Sequence, residues 1–515
     1  MTAAPHANSQ ERVFEFLMGL TTDPPVRRID THAASVFLAG TRALKVKRAV
    51  RLAFLDYSTL AKRKAACEAE LTVNHPFAPQ IYRRVVPITQ DEDGSLSIGG
   101  DGAAVEYAVE MNRFDERQTL DHLAQSGALE AGLVERVADA IAASHARAAA
   151  APTEPWIHSI PSLIAGNTTA LRAAALGRRQ TVDELDDASR SAFARIHHLL
   201  TERGQRGFVR HCHGDLHLGN IVVIEHEPVL FDAIEFDPAI ASTDVLYDLA
   251  FPVMDLLRYQ HRAAANILMN RYLTMTSDQN LDAIAALPLF MSMRAAVRAK
   301  VLYERLAQTS GEDAVAAAAR AYLDLARQSI IPPAPKLVAI GGLSGTGKSV
   351  LAHALAPAVE PLPGAVVLRS DIARKQRLQV GETDRLPPSA YQPEVTRQVY
   401  EDLARRADRL LRQGHSVIVD AVFARQTERT AISDVARTRH VPFTGLFLVA
   451  DLSTRMSRVG QRKQDASDAT PEVAKLQEGY DVGTVDWARV DASGPPEQTL
   501  QSGKTALGCR QPGPE

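Results

Sequence analysis

The sequence predicts two folded units in succession, an α+β unit over residues 1–331 and an α/β unit with a parallel sheet over 336–495. Three observations predict this. At 515 residues the chain exceeds what one hydrophobic core ordinarily organises. The run Ile330-Ile331-Pro332-Pro333-Ala334-Pro335 cannot continue a helix and favours an extended connector. Beyond it, strand-like and helix-like stretches alternate, the pattern of parallel strands joined by crossover helices.

In the first part, Ser35 to Val46 reads as two short strands joined by a turn at Ala39-Gly40-Thr41. Tyr57 to Asn74 has helical composition, and Ala104 to Met111 is a further strand. Alanine, leucine and charges dominate 117–204, which predicts helices. Strands flank the motif-rich segment 211–237, and helices follow over 244–330. In the second part, strands are predicted at 336–341, 364–369, 415–420 and 443–450. Residues 496–515, rich in Gly, Pro and Gln, predict a flexible tail.

Composition narrows the function classes. Hydrophobic residues at 45% and charged residues at 23% are ordinary globular values. A net charge of −3 gives no reason to expect nucleic acid as a bulk partner. Cys67, Cys212 and Cys509 are scattered, which supports neither a disulfide framework nor a metal knuckle and fits a reducing compartment. Met1 to Gln10 is polar, and no apolar run approaches the roughly 18 residues a membrane span needs. The expectation is a cytoplasmic protein with no membrane partner.

Gly342-Leu343-Ser344-Gly345-Thr346-Gly347-Lys348-Ser349 satisfies G-x-x-x-x-G-K-[ST]. Backbone N–H groups can curl around a phosphate only where glycine permits the turn. Lys348 is placed to reach the β- and γ-phosphates of ATP, and Ser349 to hold Mg²⁺. An apolar strand before the loop and a helix after it distinguish this from a chance glycine turn. Asp371 and Asp420 end apolar runs, at the carboxyl edge where open α/β sheets bind ligands. One is a candidate base for an acceptor hydroxyl, here Asp371, and the other, Asp420, a candidate orderer of Mg²⁺. Arg455, Arg458 and Arg462 have the spacing of a phosphate-neutralising lid. This half resembles the gluconate-kinase-like and zeta-toxin-like P-loop kinases, an AAA-type or small-molecule-kinase-like ATP-binding domain.

In His213-Gly214-Asp215-Leu216-His217-Leu218-Gly219-Asn220, an amide follows a carboxylate by five positions. Protein kinases use this spacing in H-R-D-x-x-x-x-N, where the carboxylate faces the acceptor hydroxyl while the amide oxygen holds Mg²⁺. A hairpin around His226-Glu227-Pro228 returns Asp232 beside Asn220. His213 and His217 carry no proton-transfer role in this reading. Over roughly residues 30–330 the chain resembles the aminoglycoside phosphotransferase family, which shares the protein-kinase fold. The resemblance implies that Asp215 is the catalytic base and that Asn220 and Asp232 are Mg²⁺ ligands. Ala43-Leu44-Lys45 matches the V-A-I-K strand, so Lys45 is implied to hold the α- and β-phosphates, although alternation puts Lys47 on the same face. The helix acid that partners the lysine is Glu70, with Glu68 as competitor, and the adenine hinge is expected within Glu106 to Met111. No glycine occurs in Thr31-His32-Ala33-Ala34-Ser35, where kinases place their phosphate loop.

Three functions follow as expectations. The first is a phosphotransferase with two ATP-binding heads acting on alcohol groups of small molecules. The second is an antibiotic-resistance phosphotransferase with an accessory P-loop ATPase, and the third a nucleotide-sensing regulator with one inactive head.

Overall fold

The computed structural model describes residues 5–52, 55–174, 178–276, 278–306, 313–461 and 465–508. Arg462 and Cys509 lie outside them. The chain forms two compact units, Met1–Ile160 with His198–Asp255 and Pro161–His197 with Leu256–Glu515. The division therefore does not follow the proline run, and the helices of 256–330 belong to the second unit. The physical reason is buried polar pairing. On the helix Arg262–Met275, the Asn266 and Asn270 side-chain amides both donate to Ala365 O, and Asn270 Oδ1 accepts from Val367 N at 2.8 Å. These bonds fix that helix to the strand Val366–Arg369, and a proline-rich connector carries no information about them.

In the first unit a six-stranded antiparallel sheet runs in the order Arg27–Asp30, Ala34–Ala39, Arg42–Lys47, Ala103–Asn112, Tyr82–Gln90, Leu96–Ile98. One face packs Phe37, Leu44, Val46, Ile88 and Ala108 against Val13, Phe14 and Leu17 of the helix Pro5–Met18, an element with no counterpart in the expectations. The other face packs Ala43, Val109 and Met111 with Cys67 of the helix Leu60–Asn74. Because strand side chains alternate, Ala43, Lys45 and Lys47 share this second face.

Ile221–Ile224 and Glu227–Leu230 form the expected hairpin. Its turn is Glu225-His226, both at positive φ (51° and 69°), the two-residue geometry that suits strand twist. Pro228 lies inside the second strand, opposite Val223, rather than in the turn.

The second unit holds a five-stranded parallel sheet in the order Val366–Arg369, Val417–Asp420, Leu337–Gly342, Phe443–Val449, Ala488–Asp491. Its last strand was outside the expected set. The flexible tail expected from 496 is instead a helix, Pro496–Ala506, whose Leu500, with Leu507 just beyond it, joins the core beside Leu351 and Leu355. Composition concealed an apolar helical stripe there. Among the described residues no helix is long and apolar enough to cross a membrane.

Candidate active sites

In the first unit, Lys45 Nζ lies 2.8 Å from Glu70 Oε1 and 2.6 Å from Asp232 Oδ1. Glu70 is fully buried, while Glu68 is exposed and pairs with Lys64. Of the two candidate acids, Glu70 is the one that meets the lysines. Lys47 also reaches it, 2.6 Å from Oε2, and donates to Glu235 Oε1 at 2.5 Å. Burial alone would push both lysines toward the neutral amine; Asp232 and Glu70 beside Lys45, and Glu70 beside Lys47, raise them instead. Desolvation also opposes the charge of Asp232, but Lys45 outweighs it and holds that carboxyl at about 2.

Asp215 and Asp232 line one cleft of about 360 Å³ with both lysines, within the size range of small-ligand sites. The segment bearing Asp215 is held from behind. Both oxygens of buried Asp248 accept backbone N–H groups, from His213 at 3.3 Å and Gly214 at 2.9 Å. Gly214 sits at φ +81° with Ala241 against it, so a Cβ there would meet backbone at 3.2 Å. His213 pairs through Nε2 with Phe231 O at 2.8 Å, tying the Asp215 and Asp232 segments together. Burial lowers its pKa, which makes it a neutral strut. Asn220 Nδ2 donates to Asp215 O at 2.9 Å, and Asp232 (φ +61°) donates its N–H to Tyr82 Oη.

One expectation about this cleft changes. The cleft meets the end of its strand at Met111, Asn112, Arg113 and Phe114, whereas Glu106 is buried at the other end and paired with Arg63 at 2.9 Å. Of the segment Glu106 to Met111 expected as the adenine hinge, Met111 alone lines the cleft, which continues along Asn112, Arg113 and Phe114. The signal was present, since Asn112-Arg113-Phe114 is where the apolar strand pattern stops. In place of a glycine loop, Thr31 Oγ1 accepts from Ala34 N at 3.0 Å, and Thr31 and Ala33 line the cleft.

In the second unit the glycine loop links the strand Leu337–Gly342 to the helix Lys348–Leu355, which starts from Gly347 at φ +87°. Gly345, at φ +88°, lies against Arg455, whose carbonyl oxygen would be 2.5 Å from any added Cβ. Thr346 Oγ1 and Lys348 Nζ both donate to Leu343 O, at 2.8 and 3.2 Å. Ser344 N donates to Gln477 Oε1 at 2.7 Å. Ser349 Oγ donates to Asp420 Oδ2 at 2.5 Å, so the loop hydroxyl and the strand-end carboxylate meet. Asp371 sits in the first turn of the helix Ser370–Arg377, just beyond its strand rather than ending it. Burial, reinforced by Asp420, raises its pKa.

Two of the three expected lid arginines, Arg455 and Arg458, are engaged elsewhere. Buried Arg455 donates to Ala474 O and pairs with Glu478. Arg458 donates to Ala492 O at 2.6 Å and Gly494 O at 2.8 Å, which makes it a backbone clamp. Arg369, 3.6 Å from Asp420 and 3.0 Å from Asp465, is the cation beside the carboxylates, and neither it nor Gln477 belonged to the sequence-derived set.

Residues 32–282 match the model of the phosphotransferase enzyme family, and residues 337–480 match that of an AAA domain. An uncharacterized protein of Mycobacterium tuberculosis (strain ATCC 25618 / H37Rv) is 28% identical over 504 residues, covering 93% of this chain and 95% of its own length. An uncharacterized protein of Mycobacterium bovis (strain ATCC BAA-935 / AF2122/97) matches to the same extent. Among solved structures, a choline/ethanolamine kinase family protein of Mesorhizobium loti is 16% identical and covers 63% of this chain and 96% of its own, with a TM-score of 0.40. A gluconokinase from Sinorhizobium meliloti 1021 is 18% identical and covers 34% of this chain and 92% of its own, with a TM-score of 0.25. The chain thus joins a region that matches the phosphotransferase enzyme family, residues 32–282, to a glycine-loop region that matches an AAA domain, residues 337–480.

Proposed function

We propose that the protein is an ATP-dependent phosphotransferase with two nucleotide-binding heads, each passing the γ-phosphoryl group to a hydroxyl of a small-molecule acceptor. One observation carries this reading: Lys45 Nζ stands between Glu70 and Asp232 on the wall of the cleft that Asp215 also lines. In the first head, Lys45 holds the α- and β-phosphates while Asp215 accepts the acceptor's proton. The acceptor oxygen then bonds to the γ-phosphorus as the bond to the ADP oxygen breaks. Asn220 and Asp232 offer an amide oxygen and a carboxylate, hard donors that suit Mg²⁺. Bound there, the ion would neutralise charge on the β- and γ-oxygens.

In the second head, Lys348 and the loop N–H groups bind phosphate, Ser349 and Asp420 are the metal-binding pair, and Asp371 takes the acceptor proton. Cys67 and Cys212 are buried thiols, donating to Tyr107 O and Thr243 O, which supports a reducing, cytoplasmic setting. The test is a panel of sugars, amino alcohols and antibiotics with ATP on the full chain, compared with Asp215→Asn and Lys348→Ala variants. An acceptor phosphorylated by the wild type and lost in only one variant assigns a head. ATP binding at neither head would refute the reading. Cutting the chain at 331 is a poorer test, because the second unit includes helices N-terminal to that point.

A further inference from the structure

The V-A-I-K position of a kinase fold needs one lysine, yet this cleft has two, and Glu70 serves both. Its Oε1 faces Lys45 and its Oε2 faces Lys47. Each lysine then reaches a second acid on the segment that follows the hairpin, Asp232 for Lys45 and Glu235 for Lys47. The two bridges differ in exposure. Lys45 is 14% and Asp232 42% exposed, whereas Lys47 is 3% and Glu235 6% exposed. Between them, Asn74 on the same helix as Glu70 bonds Ala233 through both its amide atoms, to N at 2.7 Å and O at 3.2 Å. Behind Lys47, Gln10 Nε2 donates to its carbonyl oxygen at 2.9 Å, and the Tyr57 ring lies 5.6 Å from Nζ.

We propose that Lys47 is a positioning residue: with Glu235 and Glu70 it locks the Leu60–Asn74 helix to the segment carrying Asp232. This rests on the reading of the first head as an ATP site. There Lys45 and Asp232 must release each other, one for phosphate and the other for metal. The outer bridge is thereby broken at each binding event. The inner bridge touches neither group and keeps Glu70 and Asp232 in place. Without Lys47, buried Glu235 loses its lysine and Glu70 is left with Lys45 alone, and both carboxylates draw Lys45 away from phosphate.

The experiment uses the full chain with Lys348→Ala to silence the second head, and reads Mg·AMPPNP affinity and ATP hydrolysis. Lys47→Met is expected to weaken AMPPNP binding roughly tenfold, the scale of one misplaced charged contact. Lys47→Met/Glu235→Gln should recover at least about threefold of that loss, since one unpaired buried carboxylate is gone. Lys45→Met should not be rescued by Glu235→Gln. Glu235→Gln alone, which keeps a hydrogen-bond acceptor for Lys47 but removes the charge, should slow hydrolysis about threefold and weaken AMPPNP binding less than Lys47→Met does; an unchanged rate overturns the proposal even if Lys47→Met fails to fold. Wild-type binding and turnover in Lys47→Met, or no rescue by Glu235→Gln, also overturns it. If the parent with Lys47 intact binds no AMPPNP, the ATP reading itself fails.

Discussion

The backbone N–H of Ser344, inside the glycine loop, donates to Gln477 Oε1 at 2.7 Å, and Gln477 is buried. A carbonyl oxygen thus occupies a donor of the phosphate-binding loop, satisfying a group that would otherwise be unpaired. A triphosphate that reaches this N–H must displace the side chain. Gln477→Ala is therefore expected to tighten Mg·ATP binding at the second head by about two- to tenfold, the net worth of one hydrogen bond. Gln477→Glu should weaken it, because a carboxylate keeps the contact and repels phosphate. Calorimetry in a chain carrying Asp232→Asn reads both, and equal affinities in all three would show the contact to be passive.

Lys348 is held by Leu343 O at 3.2 Å, so its ammonium is already over the loop. Lys348→Ala should lower nucleotide affinity at the second head by roughly ten- to a hundredfold, the loss of a charge-assisted contact. Hydrolysis that depends on Asp215 should persist in this variant. Undiminished nucleotide affinity at the second head would mean the loop is only structural.

His415 supplies a pH dependence of stability. It is buried and pairs through Nε2 with Gly364 O at 3.0 Å, and burial lowers its pKa to about 4. The folded state therefore resists protonating it, while the unfolded chain protonates near 6.5. Below that value the unfolded state binds the extra proton, so stability falls as pH drops from about 6.5 to about 4 and then levels off. The loss across that window is about 3 kcal/mol. Denaturant midpoints from pH 7 to 4 measure it, and His415→Gln should flatten this component.

How far the sequence could be read depended on whether a feature was local. Lys348, Ser349, Asp215 and Asn220 stood out in the sequence as candidates because phosphate chemistry demands fixed residue types at fixed spacing. Ser349 and Asp420 do meet, since strand-end position in a parallel sheet follows from the alternation. The Lys45/Lys47 ambiguity could not be resolved from alternation, and the structure explains why: both lysines reach Glu70. What stayed hidden was non-local. Nothing near Asn266 and Asn270 announces that their amides bind a strand about a hundred residues later. Arg458 has lid spacing, but its partners Ala492 O and Gly494 O are set by how distant loops pack. The helix Pro496–Ala506 was missed because Gly and Pro composition outweighed a stripe that only tertiary burial reveals.

Asp215 and Asp232 line the same cleft but stand in different company, and this separates their mutants. Asp215 is 43% exposed, with His217 Nε2 3.6 Å from its carboxylate, while Asp232 is ion-paired to Lys45. As the proposed base, Asp215 would act only when the acceptor loses its proton. Asp215→Asn should keep Mg·ATP affinity within a few-fold and reduce phosphoryl transfer by roughly 10²–10⁴, the usual contribution of a positioned base. In the proposed reaction Asp232 would act earlier, as a metal ligand, once it has released Lys45. Asp232→Asn should raise the Mg²⁺ concentration needed for half-maximal rate and weaken ATP binding together. Measuring nucleotide affinity and single-turnover rate across a Mg²⁺ series distinguishes the two patterns. Transfer at the wild-type rate in Asp215→Asn would remove it from the mechanism. Equal loss of ATP binding in both variants would mean that the two carboxylates serve the scaffold and not successive steps of one reaction.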